Sequence, residues 1–183
     1  MSGDVTVISG PSGVGKGTIV RALASAHSQV WVSISVTTRP PRAGEQDGRD
    51  YYFVSDAEFD DLIAHDGLLE WAQVHGAARY GTPRAPVLAA IAEGRRVILE
   101  IELQGSRQVR QRLPGARYVF IAPPDAETLL DRLHGRGTET EEQVARRLQT
   151  AKTELAAAGE FDDVVVNDEL GATVAELVDL LGL

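Results

Sequence analysis

Short runs of consecutive apolar residues alternate along this chain with longer stretches in which apolar residues recur every three or four positions. Asp4 to Ser9 predicts a buried strand, and it runs into the glycine-rich stretch Gly10 to Gly17. Lys16 to Ala26 predicts a helix with Ile19, Val20, Leu23 and Ala24 on one face. Val30 to Val36 predicts a second strand. The texture then changes: Thr37 to Asp50 is polar, contains Pro40, Pro41, Gly44 and Gly48, and has no helical period. Tyr51 to Val54 predicts a short aromatic strand. Ser55-Asp56-Ala57-Glu58 has the form of a capping box opening a helix to about His65. Leu68 to Val74 predicts a strand and Tyr80 to Thr82 a turn.

Regular alternation resumes beyond that point. Pro83 to Glu93 predicts a helix stopped by Gly94. Strands are predicted over Arg96 to Ile101, Tyr118 to Ile121 and Val164 to Val166. Helices are predicted over Gly105 to Arg112, Asp125 to His134, Thr140 to Ala158 and Thr173 to Leu181. Strands alternating with helices imply an α/β fold, with a mainly parallel sheet covered by helices on both faces. The irregular stretch 35–83 reads as a subdomain inserted into a core made of 1–34, 84–135 and 159–183, all within a single domain spanning 1–183.

Composition narrows the chemistry. The 183 residues carry a net charge of -9, a field that repels nucleic acid and anionic membranes. A phosphate-bearing ligand must therefore be held by a local cluster of positive groups. The chain has no cysteine, which excludes disulfides, a thiol nucleophile and a cysteine metal site. No apolar run is long enough to span a bilayer. The first strand begins too early for a signal peptide, so a cytoplasmic address is expected, with no membrane, nucleic-acid or obligate protein partner. Of the 18 basic residues only Lys16 and Lys152 are lysine, so a lysine at position 16 stands out.

Lys16 closes the run Gly10-Pro11-Ser12-Gly13-Val14-Gly15-Lys16-Gly17-Thr18, set between the first strand and the first helix. A P-loop belongs at that junction. Its glycines let backbone N–H groups turn inward around phosphate oxygens, and the helix start adds its positive end. Lys16 would reach the β- and γ-phosphates. The residue after the lysine is Gly17 rather than Ser or Thr, so the hydroxyl for Mg²⁺ is sought one position on, at Thr18. Such a loop specifies a nucleoside triphosphate and a P-loop NTPase-type core, but no particular reaction. The insert supplies further phosphate chemistry. Ser35-Val36-Thr37-Thr38-Arg39-Pro40-Pro41-Arg42 places two arginines in an extended stretch, and guanidinium forks pair bidentately with phosphate oxygens. Tyr51 and Tyr80 carry hydroxyls that can donate to the same group.

Taken together, the P-loop, S-V-T-T-R-P-P-R-x-G-E, D-G-R-D-Y-Y-F, L-L-E-W-A, Y-G-T-P, I-L-E-I-E-L-Q-G, F-I-A-P-P, G-R-G-T-E-T-E-E and V-V-V-N-D resemble guanylate kinases, in the same order and over nearly the whole chain. The resemblance implies transfer of the γ-phosphoryl group of ATP to GMP or dGMP, with Mg²⁺. It makes 35–83 the GMP-binding insert and 136–158 a mobile lid with its following helix. It implies that Arg39, Arg42, Tyr51 and Tyr80 hold the GMP phosphate. Ser35, Glu70 and Glu102 would read guanine, with Thr82 assisting. Arg132, Arg136 and Arg147 would add positive charge around the transferred group, and Asn167 would contact adenine. Many family members carry aspartate where this chain has Glu100 and Glu102, so the roles of that pair stay open, as does a plain strand-ending turn at Asn167. Arg146 is assigned to solvent and His75 to a loop slightly longer than the common form.

The implied base recognition is chemically consistent. Guanine presents N1–H and an exocyclic NH₂ side by side, and O6 as an acceptor. One carboxylate can accept both donors and a serine hydroxyl can donate to O6. Adenine would set unlike groups against the same partners, at about 1–3 kcal/mol for each buried polar group left unpaired. Two other readings are carried. One is a non-catalytic module of the same fold that binds protein ligands; retention of Lys16, Arg39, Arg42, Arg136 and Arg147 weighs against it. The other is a P-loop kinase acting on a different phosphorylated small molecule; the trio Ser35, Glu70 and Glu102 weighs against that.

Overall fold

The computed structural model describes residues 5–74, 78–134 and 141–183, with backbone only at 74, 134 and 141–147. Strand β1 (Val5–Ser9) is buried along its whole length. It is the centre of a five-stranded parallel sheet with β2 (Val30–Val32), β7 (Arg96–Glu100), β8 (Arg117–Ala122) and β9 (Asp163–Val166), in the order β2-β7-β1-β8-β9. Every side chain on such a strand faces a covered surface, so strict alternation sorts the apolar run into two cores. Ile8, Ile98, Val119 and Ile121 pack on one side with Ile19 and Leu23 of α1 (Lys16–Ala26), Leu133 of α5 (Ala126–His134), Ala151 of α6 (Glu141–Ala156) and Leu177 of α7 (Leu170–Leu181). Val5, Val7, Val97, Leu99 and Tyr118 face the other side, against Val87 of α3 (Arg84–Ala92) and Val109 of α4 (Leu103–Arg112).

A second sheet, order β4-β3-β6-β5, is built from β3 (Val36–Thr37), β4 (Tyr52–Phe53), β5 (Leu68–Val74) and β6 (Ala78–Pro83). Its private core is Val36, Phe59 and Leu68, closed by α2 (Asp56–Ala64). The sheet docks on the main body through β5 and α4. Leu69 joins the main-sheet core on the side of α3 and α4, and the Gln108 carboxamide pairs with both the N–H and the C=O of Trp71, at 3.2 and 2.7 Å.

Four elements differ from the pattern-based expectation, each for a local reason. The run Val30 to Val36 is not one strand. The polar Ser33 and Ser35 interrupt it, and Val36 is claimed by the second core. Residues 80–82 form the middle of β6 instead of a turn. Gly81 is there because a β-carbon would come within 2.9 Å of the Glu70 carbonyl oxygen on the neighbouring strand. Helix α4 starts at Leu103 because the Glu102 carboxylate caps it, accepting from the N–H groups of Gln104 and Gly105. Helix α7 starts at Leu170 because Glu169 caps it in the same way. The capping box at Ser55 and Glu58 is present.

Phe59 is fully buried and meets Trp71 edge-on at 6.3 Å, so it is the largest apolar contribution to the small core. Replacing Phe59 by Ala should cost about 3–5 kcal/mol and lower the melting temperature by roughly 10 °C, followed by circular dichroism. A shift of about 2 °C or less would mean that the second sheet is held mainly by its docking to α4.

Candidate active site

The loop after β1 follows the geometry its glycines allow. Gly10, Gly13 and Gly15 have φ of 146°, 86° and 101°, conformations that L side chains rarely adopt. Space is short as well: a β-carbon at Gly10 would overlap the Ile121 carbonyl, and one at Gly15 would lie 2.7 Å from the Asn167 amide nitrogen. While α2, α4 and α7 are capped by side chains, α1 begins at Gly15 with no side-chain cap and no acidic residue in its first turn. Helix α3 also starts without a side-chain cap, but α1 does so directly after a glycine loop, where its N-terminal donors and dipole favour an anion. Lys16 lies across the loop, its ammonium donating to the carbonyls of Gly10 at 2.5 Å and Pro11 at 3.1 Å.

Asn167 is buried behind this loop. Its carboxamide donates to the Val14 carbonyl at 2.7 Å and accepts from the Thr173 hydroxyl at 3.0 Å. Arg132 reaches the same place, donating to the carbonyls of Val14, Asn167 and Asp168. Both residues therefore brace the loop from outside, Arg132 through backbone carbonyls and Asn167 through the Val14 carbonyl and the Thr173 hydroxyl. Thr18 Oγ1 accepts a long hydrogen bond of 3.4 Å from Arg21.

The end of β7 separates two acidic positions. The Glu100 carboxylate lies against the start of α1: a β-carbon at Gly17 would be 3.5 Å from both its oxygens. Burial pushes its pKa up, opposed by Lys16 and Arg21. Glu102, beyond the strand, caps α4 and faces Glu70, whose Oε2 would be 2.5 Å from a β-carbon at Gly105. Glu70 is 5% exposed, and Thr82 donates to its Oε1 at 2.6 Å. Its pKa is pushed up to about 7, mainly by burial, with Glu102 adding repulsion and Thr82 opposing.

Among the residues expected to bind phosphate in the insert, Arg39 grips Glu45 bidentately, both bonds at 2.9 Å, and donates from Nε to the Tyr80 hydroxyl at 3.0 Å. The fork on Glu45 raises the pKa of Arg39 and holds that of Glu45 down. Tyr51 packs 5.9 Å from Tyr80 and lies under the Arg39 guanidinium. Burial raises the pKa of Tyr51, with the charge on Glu100 next in weight, so this cluster and Glu100 share one electrostatic neighbourhood. Ser35 is half-buried at the start of β3, and the Arg42 side chain is exposed. The roles expected of His75 and Arg136 fall outside the described residues, and those of Arg146 and Arg147 concern side chains outside them; both arginines lie in the backbone of α6. Glu45 is a functional neighbour to which the sequence motifs assign no role. Its signal was its position three residues after Arg42, whose N–H it accepts at 2.7 Å. Glu154 of α6, which also faces the loop, had no signal within its own helix.

A parallel α/β sheet with such a loop at the end of its central strand, and a second polar pocket beside it, defines a P-loop nucleotide kinase. The comparisons carry this further: the guanylate kinase family model matches residues 2–182, and the chain belongs to that family. A guanylate kinase of Cutibacterium acnes is 59% identical over 98% of this chain and 90% of its own. The crystal structure of guanylate kinase from Anaplasma phagocytophilum superposes with a TM-score of 0.81 at 30% identity, covering 98% of this chain and 85% of that one. A shikimate kinase from Bacteroides thetaiotaomicron, at 16% identity and a TM-score of 0.55 over 98% of both chains, shares the fold.

Glu70 should be measurable as a stability cost. Its proton is bound more tightly in the folded chain, at about pH 7, than at the ordinary value of 4.5. Stability should therefore fall as pH rises from about 4.5 to 7 and level off above. Glu70→Gln should remove that slope and raise stability at pH 8 by about 1–3 kcal/mol in urea titrations. An unchanged slope would show that Glu70 is not desolvated.

Proposed function

We propose that this protein transfers the γ-phosphoryl group of ATP to GMP or dGMP, giving ADP and GDP or dGDP, in purine nucleotide metabolism in the cytoplasm. Family membership supports the activity. The observation that carries the substrate assignment is the buried Glu70 carboxylate, steadied by Thr82 and set beside Glu102 at the edge of the second sheet. An ionised carboxylate there pairs with the adjacent N–H donors of guanine, and Ser35 supplies the donor for O6. We assign Arg39, Arg42, Tyr51 and Tyr80 to the GMP phosphate, which makes 35–83 the GMP-binding insert. Phosphate oxygens would then compete with Glu45 for the Arg39 fork.

In this reading the loop from Gly10 to Thr18 holds the ATP phosphates through backbone N–H groups, and Lys16 neutralises charge as the phosphoryl group moves. Arg132 and Asn167 act on ATP through the loop they brace, and Arg136 and Arg147 belong to the lid segment 136–158. The donor set suits Mg²⁺, because the Glu100 carboxylate and the Thr18 hydroxyl are hard oxygen ligands at the start of α1. A β-carbon at Gly17 would lie 3.3 Å from Arg21 Nη1 and 3.5 Å from both Glu100 oxygens. Thr18 and Glu100 would hold the ion, directly or through water, with substrate phosphates completing its shell. When bound it would supply charge neutralisation on the transferring phosphates. Loose phosphoryl transfer needs alignment and positive charge more than proton abstraction, so no general base is assigned. Among the described residues no helix is long and apolar enough to cross a membrane.

A coupled assay with GMP, dGMP, AMP, CMP and UMP tests the proposal. Turnover is expected with GMP and dGMP alone. Turnover of AMP at a comparable rate would refute guanine reading by Glu70, and no turnover at all would favour a protein-binding module. Glu70→Gln should lower kcat/KM for GMP by at least about 100-fold, since one acceptor is replaced by a donor facing donors, with ATP affinity unchanged by equilibrium titration. An equal loss of ATP affinity would reverse the assignment of the two pockets.

A further inference from the structure

One carboxylate at the phosphate loop has no part in the reading above. Glu154 lies in the last turns of α6, on a segment pinned by packing: Ala151 is buried in the large core, and Leu148 and Leu155 pack against it. The same core contains Val14 of the loop. Glu154 is therefore held facing the loop by apolar contacts on either side of it in sequence. It is only 8% exposed, and its Oε2 is buried with no hydrogen-bond partner among the described residues. The groups that favour its ionised form belong to the loop. The Ser12 N–H donates to the carboxylate, and the Lys16 ammonium attracts it. Burial is the stronger influence and pushes its pKa up, and the charge on Glu102 adds to that. Lys16 and Glu102 are the charged groups acting on it among the described residues.

A carboxylate whose only task was to brace the loop would have both oxygens paired, because a buried unpaired oxygen is costly. Here one oxygen has no partner among the described residues, and the attractive partners of the group are those a nucleotide phosphate would use. Two anions drawing on the same donors oppose each other, and a low-dielectric surrounding strengthens the effect. We infer that Glu154 is an affinity-setting residue of the nucleotide site: its carboxylate competes with the ATP phosphates for the Ser12 amide and Lys16, and so weakens binding of ATP and ADP alike. The inference rests on the assignment of this loop to ATP. Because competition is reciprocal, a phosphate in the loop also weakens the hold of the loop on Glu154 and hence on α6. Equal weakening of donor and product binding raises KM and speeds ADP release without altering the chemical step.

The sign of the effect separates this role from a structural one. The full chain is titrated at equilibrium with inorganic pyrophosphate and with a non-hydrolysable ATP analogue, and in parallel with GMP. Glu154→Gln keeps the size and one acceptor oxygen for the Ser12 N–H, and removes the charge. It should bind pyrophosphate and the analogue on the order of tenfold more tightly, with GMP affinity within about twofold of the original. Glu154→Asp, which keeps the charge but draws it back from Ser12, should fall between. Unchanged or weaker binding by the Gln variant would make Glu154 a brace and overturn the inference, as would a GMP affinity that moved equally. If the Gln variant melts well below the parent, the Asp variant decides on the same criterion. Failure of the unaltered chain to bind pyrophosphate or the analogue would instead bring down the ATP assignment of the loop.

Discussion

In a chain of net charge -9, attraction for a phosphate has to come from oriented backbone dipoles and a few fixed cations, not from a general field. The requirement is met at one junction. The chain turns from β1 into α1 through three glycines at positive φ, and the helix starts without a side-chain cap. The rest of the architecture serves that turn. The parallel sheet points the end of its central strand at it. The Ile121 carbonyl lies where a β-carbon of Gly10 would fall, and Asn167, steadied by Thr173, fastens the Val14 carbonyl from behind. Residues more than 100 positions away in sequence thus stabilise a loop that local propensity alone would leave open to many conformations.

The second pocket works on the opposite principle. There a carboxylate, that of Glu70, is removed from water. Glu70 is therefore costly in the folded chain, and its raised pKa is the measure of that cost. Thr82 offsets part of it and fixes the direction of one oxygen. The cost is tolerated because the second sheet has its own core and is fastened to α4 by Leu69 and Gln108. A pocket on a loop could not hold a desolvated charge in place, since loops let water in.

The two pockets meet at the end of β7. Glu100 and Glu102 are separated by one residue, yet Glu100 turns to the start of α1 and Glu102 caps α4 beside Glu70. Strand alternation alone would have put them on the same face. The strand ends at Glu100, and the capping geometry of α4 takes Glu102 elsewhere. One short segment thereby sends one acid to the start of α1 and the other to Glu70, with Tyr51, under the Arg39 guanidinium, in the electrostatic neighbourhood of Glu100.

The order and type of the elements in the main sheet, the phosphate loop and the capping box at Ser55 were all legible in the amino-acid sequence. Each depends on neighbours a few residues apart: hydrophobic periodicity, glycine spacing and local hydrogen bonding. The motif set also identified the family. What it left undecided depends on contacts between distant segments. Whether residues 80–82 turn or pair was settled by β5, and the break after Val32 by the core around Phe59. The different surroundings of Glu100 and Glu102, the grip of Arg39 on Glu45, and the approach of Glu154 to a loop about 140 residues earlier likewise come from how helices and sheets pack. Local pattern carries no information about which buried group will face which, because that is set by the shape of the assembled core and not by any stretch of chain within it.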